Sequence, residues 1–230
     1  NQRIRFFMDM AKVIKDTLLF QGLSEEKIRQ LASRALYKKY KAGEMVIGEE
    51  DPIRSFYVVI SGQLKLYRSS AEGKEQTIQL LGPGDPFGLC TAFATESFPA
   101  SAMAITQVEL LLIPGTAMEE TARQEPTLLF NIIQILSKRL KDSMEMIESL
   151  ALKEIPSRLA SFLLHEAGRS KNHMIQLRIS QRELSKILGA TPEALSRALR
   201  KMANDGILSS TGRVITLLDL RALEQLAEGD

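Results

Sequence analysis

Apolar and polar positions divide the chain into four segments. Through residue 36 the spacing is helical. Ser24 stands as an N-cap, Glu25 and Glu26 fill the first turn, and Ile28, Leu31 and Ala32 share a face. From about 40 to 115, short runs of strand character take over: Phe56–Ile60, Leu64–Tyr67, Ile78–Leu80 and Val108–Leu112. Seven of the fourteen glycines, from Gly43 to Gly88, lie among them. Strands punctuated this densely by turn residues predict an antiparallel barrel, roll or sandwich, and the whole reads as α+β.

Pro126 opens a stretch free of Gly and Pro that reaches Pro156. Leu129, Ile133, Leu136, Leu140, Ile147 and Leu150 take heptad a and d positions, with Ser143 interrupting a d site beside Met144. A helix of roughly 28 residues runs about 42 Å, longer than a small domain needs. Its stripe can pack on the roll as a core helix or on a second copy of itself in a parallel seam. The length favours the seam, expected at Ile133, Leu136, Leu140, Met144, Ile147 and Leu150. Ile155-Pro156 ends the helix and starts another. The expected segments are therefore 1–125, 126–152 and 153–230, with a hinge at Leu152 to Ile155.

The most specific pattern spans 179–217. Ser180-Gln181-Arg182-Glu183 has the form of a capping box. The short helix it opens carries Leu184, Ile187 and Leu188 and stops at Gly189, suited to the left-handed backbone of a tight turn. Thr191-Pro192 restarts the chain as a helix. Two capped helices joined so closely predict a helix-turn-helix. On the second helix Leu195, Ala198, Leu199 and Met202 make an inward stripe, while Glu193, Ser196, Arg197 and Arg200 share another side. That face is either an ordinary solvated one or a reader of base edges. Arg pairs with guanine, Glu accepts from cytosine, and Ser bonds or meets a thymine methyl. Thr191, with Ser180 at the preceding cap, is expected near phosphate at a helix N-terminus. The ribbon that follows, Gly206–Ser209 and Val214–Leu217, is expected to bring Arg213 to the backbone. The ribbon and the capped first helix favour DNA.

Charge sharpens this picture slightly. The net charge is +2, yet residues 153–230 hold 12 basic against 9 acidic side chains, which favours an anionic partner there. With 44% apolar and 25% charged residues the chain reads as globular. No apolar run approaches the roughly 18–20 residues of a membrane span. No signal-peptide pattern opens the chain, and one cysteine can neither form an intramolecular disulfide nor supply an iron–sulfur cluster. A cytoplasmic protein without a membrane partner is expected. No glycine loop for phosphate, metal-ligand cluster or nucleophile–base pairing stands out, so an enzyme is not expected. A ligand-binding module without DNA function is the alternative of another class.

Further residues carry a family resemblance: Gly43-Glu44, Ile60-Ser61-Gly62-Gln63-Leu64-Lys65-Leu66-Tyr67, Glu72-Gly73-Lys74-Glu75 and Gly82-Pro83-Gly84-Asp85-Pro86-Phe87-Gly88. With the long helix and the winged helix-turn-helix, the chain resembles the CRP/FNR superfamily of dimeric bacterial transcription regulators over nearly its full length. The resemblance implies a jelly-roll sensor of cyclic-nucleotide-binding type, a dimerisation helix and a winged DNA-binding domain whose orientation follows an effector. It also implies RNA polymerase as a partner. Glu193-Ala194-Leu195-Ser196-Arg197 resembles the FNR-type E-x-x-S-R pattern, implying TTGAY-like half-sites in an inverted repeat. The pattern differs from the R-E-x-x-G-R of the cyclic-AMP receptor, the family's other prototype, and Pro192 departs from both.

For the effector, the family's cyclic-nucleotide cassette pairs Gly with Glu and Arg with Ser. Here Leu89 follows Gly88, and Ser97–Ala102 contains no arginine, which argues against a bound cyclic phosphate. An apolar pocket is expected instead from Phe87, Leu89, Cys90, Phe93 and Phe98, facing Leu129, Ile132, Ile133 and Leu136 on the long helix. It suits haem or another flat ligand. Tyr67-Arg68, Glu72-Gly73, Leu150-Ala151-Leu152-Lys153 and Ile215–Asp219 resemble nitric-oxide-responsive members, several of which use haem. Cys90 is either a haem ligand or a small buried hydrophobe. His165 and His173 read as surface or packing residues.

Overall fold

The computed structural model describes residues 10–49, 51, 52, 54–93, 97–170 and 173–228; for Cys90, Thr91, Arg169 and Ser170 it describes the backbone alone. The chain groups into two compact units, Asn1–Leu140 and Lys141–Asp230.

In the first unit, residues 10–16 are helical and a 3-10 turn covers Leu18–Phe20. Helix α1 (Glu25–Arg34) begins at Ser24, whose hydroxyl accepts from the Lys27 N–H at 3.3 Å. Eight strands follow: β1 (Leu36–Tyr40), β2 (Met45–Ile47), β3 (Ser55–Ser61), β4 (Leu64–Ser69), β5 (Glu75–Leu81), β6 (Pro86–Phe87), β7 (Ser101–Ala104) and β8 (Val108–Pro114). A short helix α2 (Leu89–Phe93) separates β6 from β7. The strands form two four-stranded antiparallel sheets, ordered β1-β8-β3-β6 and β2-β7-β4-β5. Helices α3 (Gly115–Gln124) and α4 (Pro126–Leu152) close this part of the chain.

Two cores explain the apolar runs. Tyr57, Val59, Leu110 and Leu112 point between the sheets, against Leu64, Leu81, Phe87, Ala102 and Ala104. Their neighbours Phe56, Val58, Leu111 and Ile113 point the other way, into a core with Phe20, Ile28, Leu31, Met118 and Leu128. Strands β3 and β8 are thus buried on both faces, and continuous apolar sequence is what such strands require. The turn between β3 and β4 depends on Gly62. Its φ is +82°, and a Cβ there would lie 2.0 Å from the Gln107 carbonyl oxygen, an approach open only to glycine.

Of the two packings open to the long helix, the single chain uses the one on the roll. Leu128 and Ile132 enter the helix-side core. On the same face, Asn131 donates to the carbonyls of Leu19 and Gln21, each at 2.9 Å, and Arg139 donates to the Pro86 carbonyl. The opposite stripe of Leu129, Phe130, Ile133, Leu136, Leu140, Met144 and Ile147 is 43–67% exposed.

The second unit takes in the last turns of α4 and adds α5 (Ile155–Ser170), β9 (Met174–Gln176), α6 (Gln181–Ile187), α7 (Pro192–Asn204), β10 (Leu208–Thr211), β11 (Val214–Leu217) and α8 (Leu220–Glu228). The strands pair antiparallel in the order β10-β11-β9. Among the described residues, no helix is long and apolar enough to cross a membrane.

Candidate nucleic-acid interface

Local sequence fixes the two helices of this site. The Ser180 hydroxyl accepts from the Glu183 N–H at 3.1 Å and starts α6. Leu184 is buried beneath it. Gly189 then takes φ +60°, and the Ala190 N–H donates to the Ser185 carbonyl at 2.9 Å. The Thr191 hydroxyl accepts from the Ala194 N–H at 3.2 Å, and Pro192 occupies the first turn of α7. A proline costs nothing there, since its missing N–H has no intrahelical acceptor.

Helix α7 separates its faces as its sequence requires. Leu195, Ala198, Leu199 and Met202 are buried, while Glu193, Arg197 and Arg200 are exposed and Ser196 is half-buried. Arg200 Nε reaches back to the Ser196 carbonyl at 3.4 Å. Glu193, though exposed, is held by local partners. Its own backbone N–H, then the Thr191 hydroxyl, and more weakly Arg197 hold its carboxyl below the usual carboxylate range. The helix N-terminus expected to receive a phosphate therefore already carries a carboxylate, which suits the positive end of the helix dipole.

Arg213 lies in the two-residue connection between paired Thr211 and Val214. Its carbonyl accepts from the Leu177 N–H at 2.8 Å, so the backbone is anchored while the side chain is exposed. Three further exposed cations, Arg178, Arg182 and Lys201, lie in or near α6 and α7. Arg182 stands inside the capping box, so its place beside Ser180 is legible in the sequence.

Of the nine residues expected to form an effector pocket, the eight whose side chains are described do not come together in the single chain. Phe87 and Phe98 belong to the core between the sheets, where Phe87 stacks on Tyr57 at 4.7 Å between centroids and meets Phe98 edge-on at 6.5 Å. Leu89, Phe93 and Ile132 belong to the other core. Leu129, Ile133 and Leu136 lie on the exposed stripe of α4. Helical spacing is the reason: Leu128, Ile132 and Ile135 face the roll, and Leu129, Ile133 and Leu136 do not. The Cys90 side chain lies outside the described residues. A cavity of about 170 Å³ opens between α1 and α3, lined by Gln30, Arg34, Glu120, Thr121 and Gln124 among others, and contains none of the nine. Among the described residues, no group of three or more His, Cys, Asp or Glu is placed to hold a metal ion.

Residues 37–125 match the cyclic nucleotide-binding domain family, and residues 157–226 match the Crp-like helix-turn-helix domain family. The chain is 28% identical over 216 residues to the cyclic AMP receptor protein of Thermus thermophilus, covering 94% of this chain and 99% of that protein. It is 29% identical over 194 residues to the transcriptional activator protein anr of Pseudomonas aeruginosa, covering 82% and 79%. The solved structure of FixK2 from Bradyrhizobium japonicum has a TM-score of 0.75 at 28% identity, over 84% of this chain and 96% of that one. These relatives are transcription regulators rather than enzymes. Joined to a capped helix-turn-helix that shows two arginines to solvent, they establish that the chain belongs to the CRP/FNR family of DNA-binding transcription regulators.

Proposed function

We propose that this protein is an effector-controlled homodimer that reads an inverted repeat of TTGAY-like half-sites. The observation that carries the reading is the exposed face of α7, where Arg197 and Arg200 stand clear of a buried apolar stripe. The bare stripe of α4 supports the dimer. Seven large apolar side chains left in water along one helix are an interface awaiting a partner, and members of this family act as dimers. A second copy about a two-fold axis covers the stripe and doubles the recognition helix. Half-sites about 10–11 bp apart, centre to centre, follow from that symmetry.

The test is fluorescence anisotropy on labelled palindromes against scrambled duplexes. Arg197→Ala is expected to lose about 1–3 kcal/mol on the palindrome and to relax the preference for guanine. An unchanged sequence preference in that variant overturns the assignment.

The effector reading is nitric oxide or a related nitrosative signal, supported by the residue resemblances at Tyr67-Arg68, Glu72-Gly73 and Leu150–Lys153. The described side chains among the nine apolar residues do not line a haem slot within one chain. An absorption spectrum of protein purified with haem available decides the point. A Soret band that shifts with nitric oxide supports haem sensing, and its absence turns the search to organic ligands. The match of residues 37–125 to the cyclic nucleotide-binding family favours a second reading. Against it, Leu89, which follows the glycine of the cassette, is packed in the helix-side core, where no ribose hydroxyl can be received. Calorimetric titration with cyclic AMP separates the two.

A further inference from the structure

The break between α4 and α5 has the sequence of a hinge but not the bonding of one. Arg158, half-buried in the first turn of α5, spends three donors on three carbonyls. Its Nε reaches Lys153 at 2.8 Å, its Nη2 reaches Leu150 at 2.9 Å, and its Nη1 reaches Leu188 at 3.0 Å. The first two acceptors belong to the last turn of α4 and the residue after it, where carbonyls lack intrahelical partners. The third is the C-cap of α6, directly before the Gly189 turn that leads into α7. One guanidinium thus ties the end of the long helix to the turn that sets the recognition helix.

Lys153 adds a second tie. Its ammonium donates to the Ala227 carbonyl at 2.7 Å and to the Ser161 hydroxyl at 3.2 Å, placing a cation at the C-terminal end of α8, where the helix dipole favours it. Its backbone N–H donates to the Ser149 carbonyl at 3.1 Å, and its own carbonyl is held by Arg158. Residue 153 is therefore fixed through its N–H, its carbonyl and its side chain. Charge-assisted bonds of this kind are among the stronger ones available.

We propose that Arg158 is a positioning residue for DNA recognition, turning the break at Leu152 to Ile155 into a fixed elbow so that α6 and α7 are carried rigidly by the last turns of α4. The inference rests on the reading of this chain as a dimer that presents α7 to DNA. Its consequence is a sharp preference for one half-site spacing. One added base pair rotates a half-site by about 34° and moves it about 3.4 Å, which a rigid elbow cannot follow and a loose one can.

The experiment uses the full chain with Arg158→Met, which keeps much of the stem and removes the donors, and Arg158→Lys, which keeps the charge without the fork. Affinity is measured on palindromes at the preferred spacing, on the same duplexes one base pair longer or shorter, and on a single half-site. Both variants are expected to keep half-site binding, while the ratio of affinities between preferred and altered spacing falls about tenfold in Arg158→Met and less in Arg158→Lys. A folded Arg158→Met that retains the full ratio overturns the proposal. Amide hydrogen exchange on the DNA-free protein gives an independent measure, and Arg158→Lys carries it should the methionine variant not fold. Faster exchange at the Lys153 amide supports the elbow, and unchanged exchange overturns it. If the unmodified chain binds no palindrome, the dimeric DNA reading fails, and the exchange comparison still judges the elbow.

Discussion

Tyr57 shows how much one side chain ties to pH. Its ring is 2% exposed and stacked on Phe87. Burial, reinforced by nearby Tyr40, pushes its phenol up to about 12 from the ordinary value of about 10. The raised value means the neutral phenol is favoured by folding. Its contribution is fully present below pH 10 and is lost as pH rises through 12. Two units correspond to about 2–3 kcal/mol at full ionisation. Urea titrations across that window should show the midpoint falling in the unmodified protein and a shallower fall in Tyr57→Phe. Equal slopes in the two proteins would place the alkaline sensitivity elsewhere. The same residue marks a limit of reading one residue at a time. Phe56 and Tyr57 look alike in sequence, yet they serve different cores, a distinction made only when the second sheet and the helices are both in place.

At the scale of elements, legibility follows locality. The capped helices α1, α6 and α7 are readable because cap, stripe and stop lie within a few residues of one another. Strands β3 and β8 are readable because burial on both faces demands unbroken apolar sequence. Strand β1, Leu-Tyr-Lys-Lys-Tyr, gives no such signal, since it has no buried position. Strand β7, Ser-Ala-Met-Ala, fills its place with side chains too small to stand out, and β9 has three residues. That the described side chains of the expected effector pocket do not gather within one chain has a different reason. Periodicity on α4 distinguishes Leu128, Ile132 and Ile135 from Leu129, Ile133 and Leu136, but apolar character alone does not. That division gives the test of the bare stripe. Leu140 is 64% exposed in the single chain, so Leu140→Asp should leave the fold of each copy intact while sedimentation shows a monomer. A stable dimer carrying that aspartate would remove the seam.

For the whole molecule, the relevant electrostatics is regional rather than net. Arg178, Arg182, Arg197, Arg200, Lys201 and Arg213 are exposed in the second unit. If about half of them reach phosphates in each of two copies, the logarithm of the binding constant should fall against the logarithm of salt with a slope of about −5. A slope near zero would detach this cluster from DNA. The first unit carries a sheet edge guarded by charge. Among the described residues, strand β1 forms the rim of its sheet, with β8 as its one partner, and Lys38 and Lys39 stand exposed in the middle of it. An open rim is a template on which another chain can add a strand, and lysines there make that addition unfavourable. Concentrated solutions should therefore stay clear for as long as those two ammonium groups keep their charge.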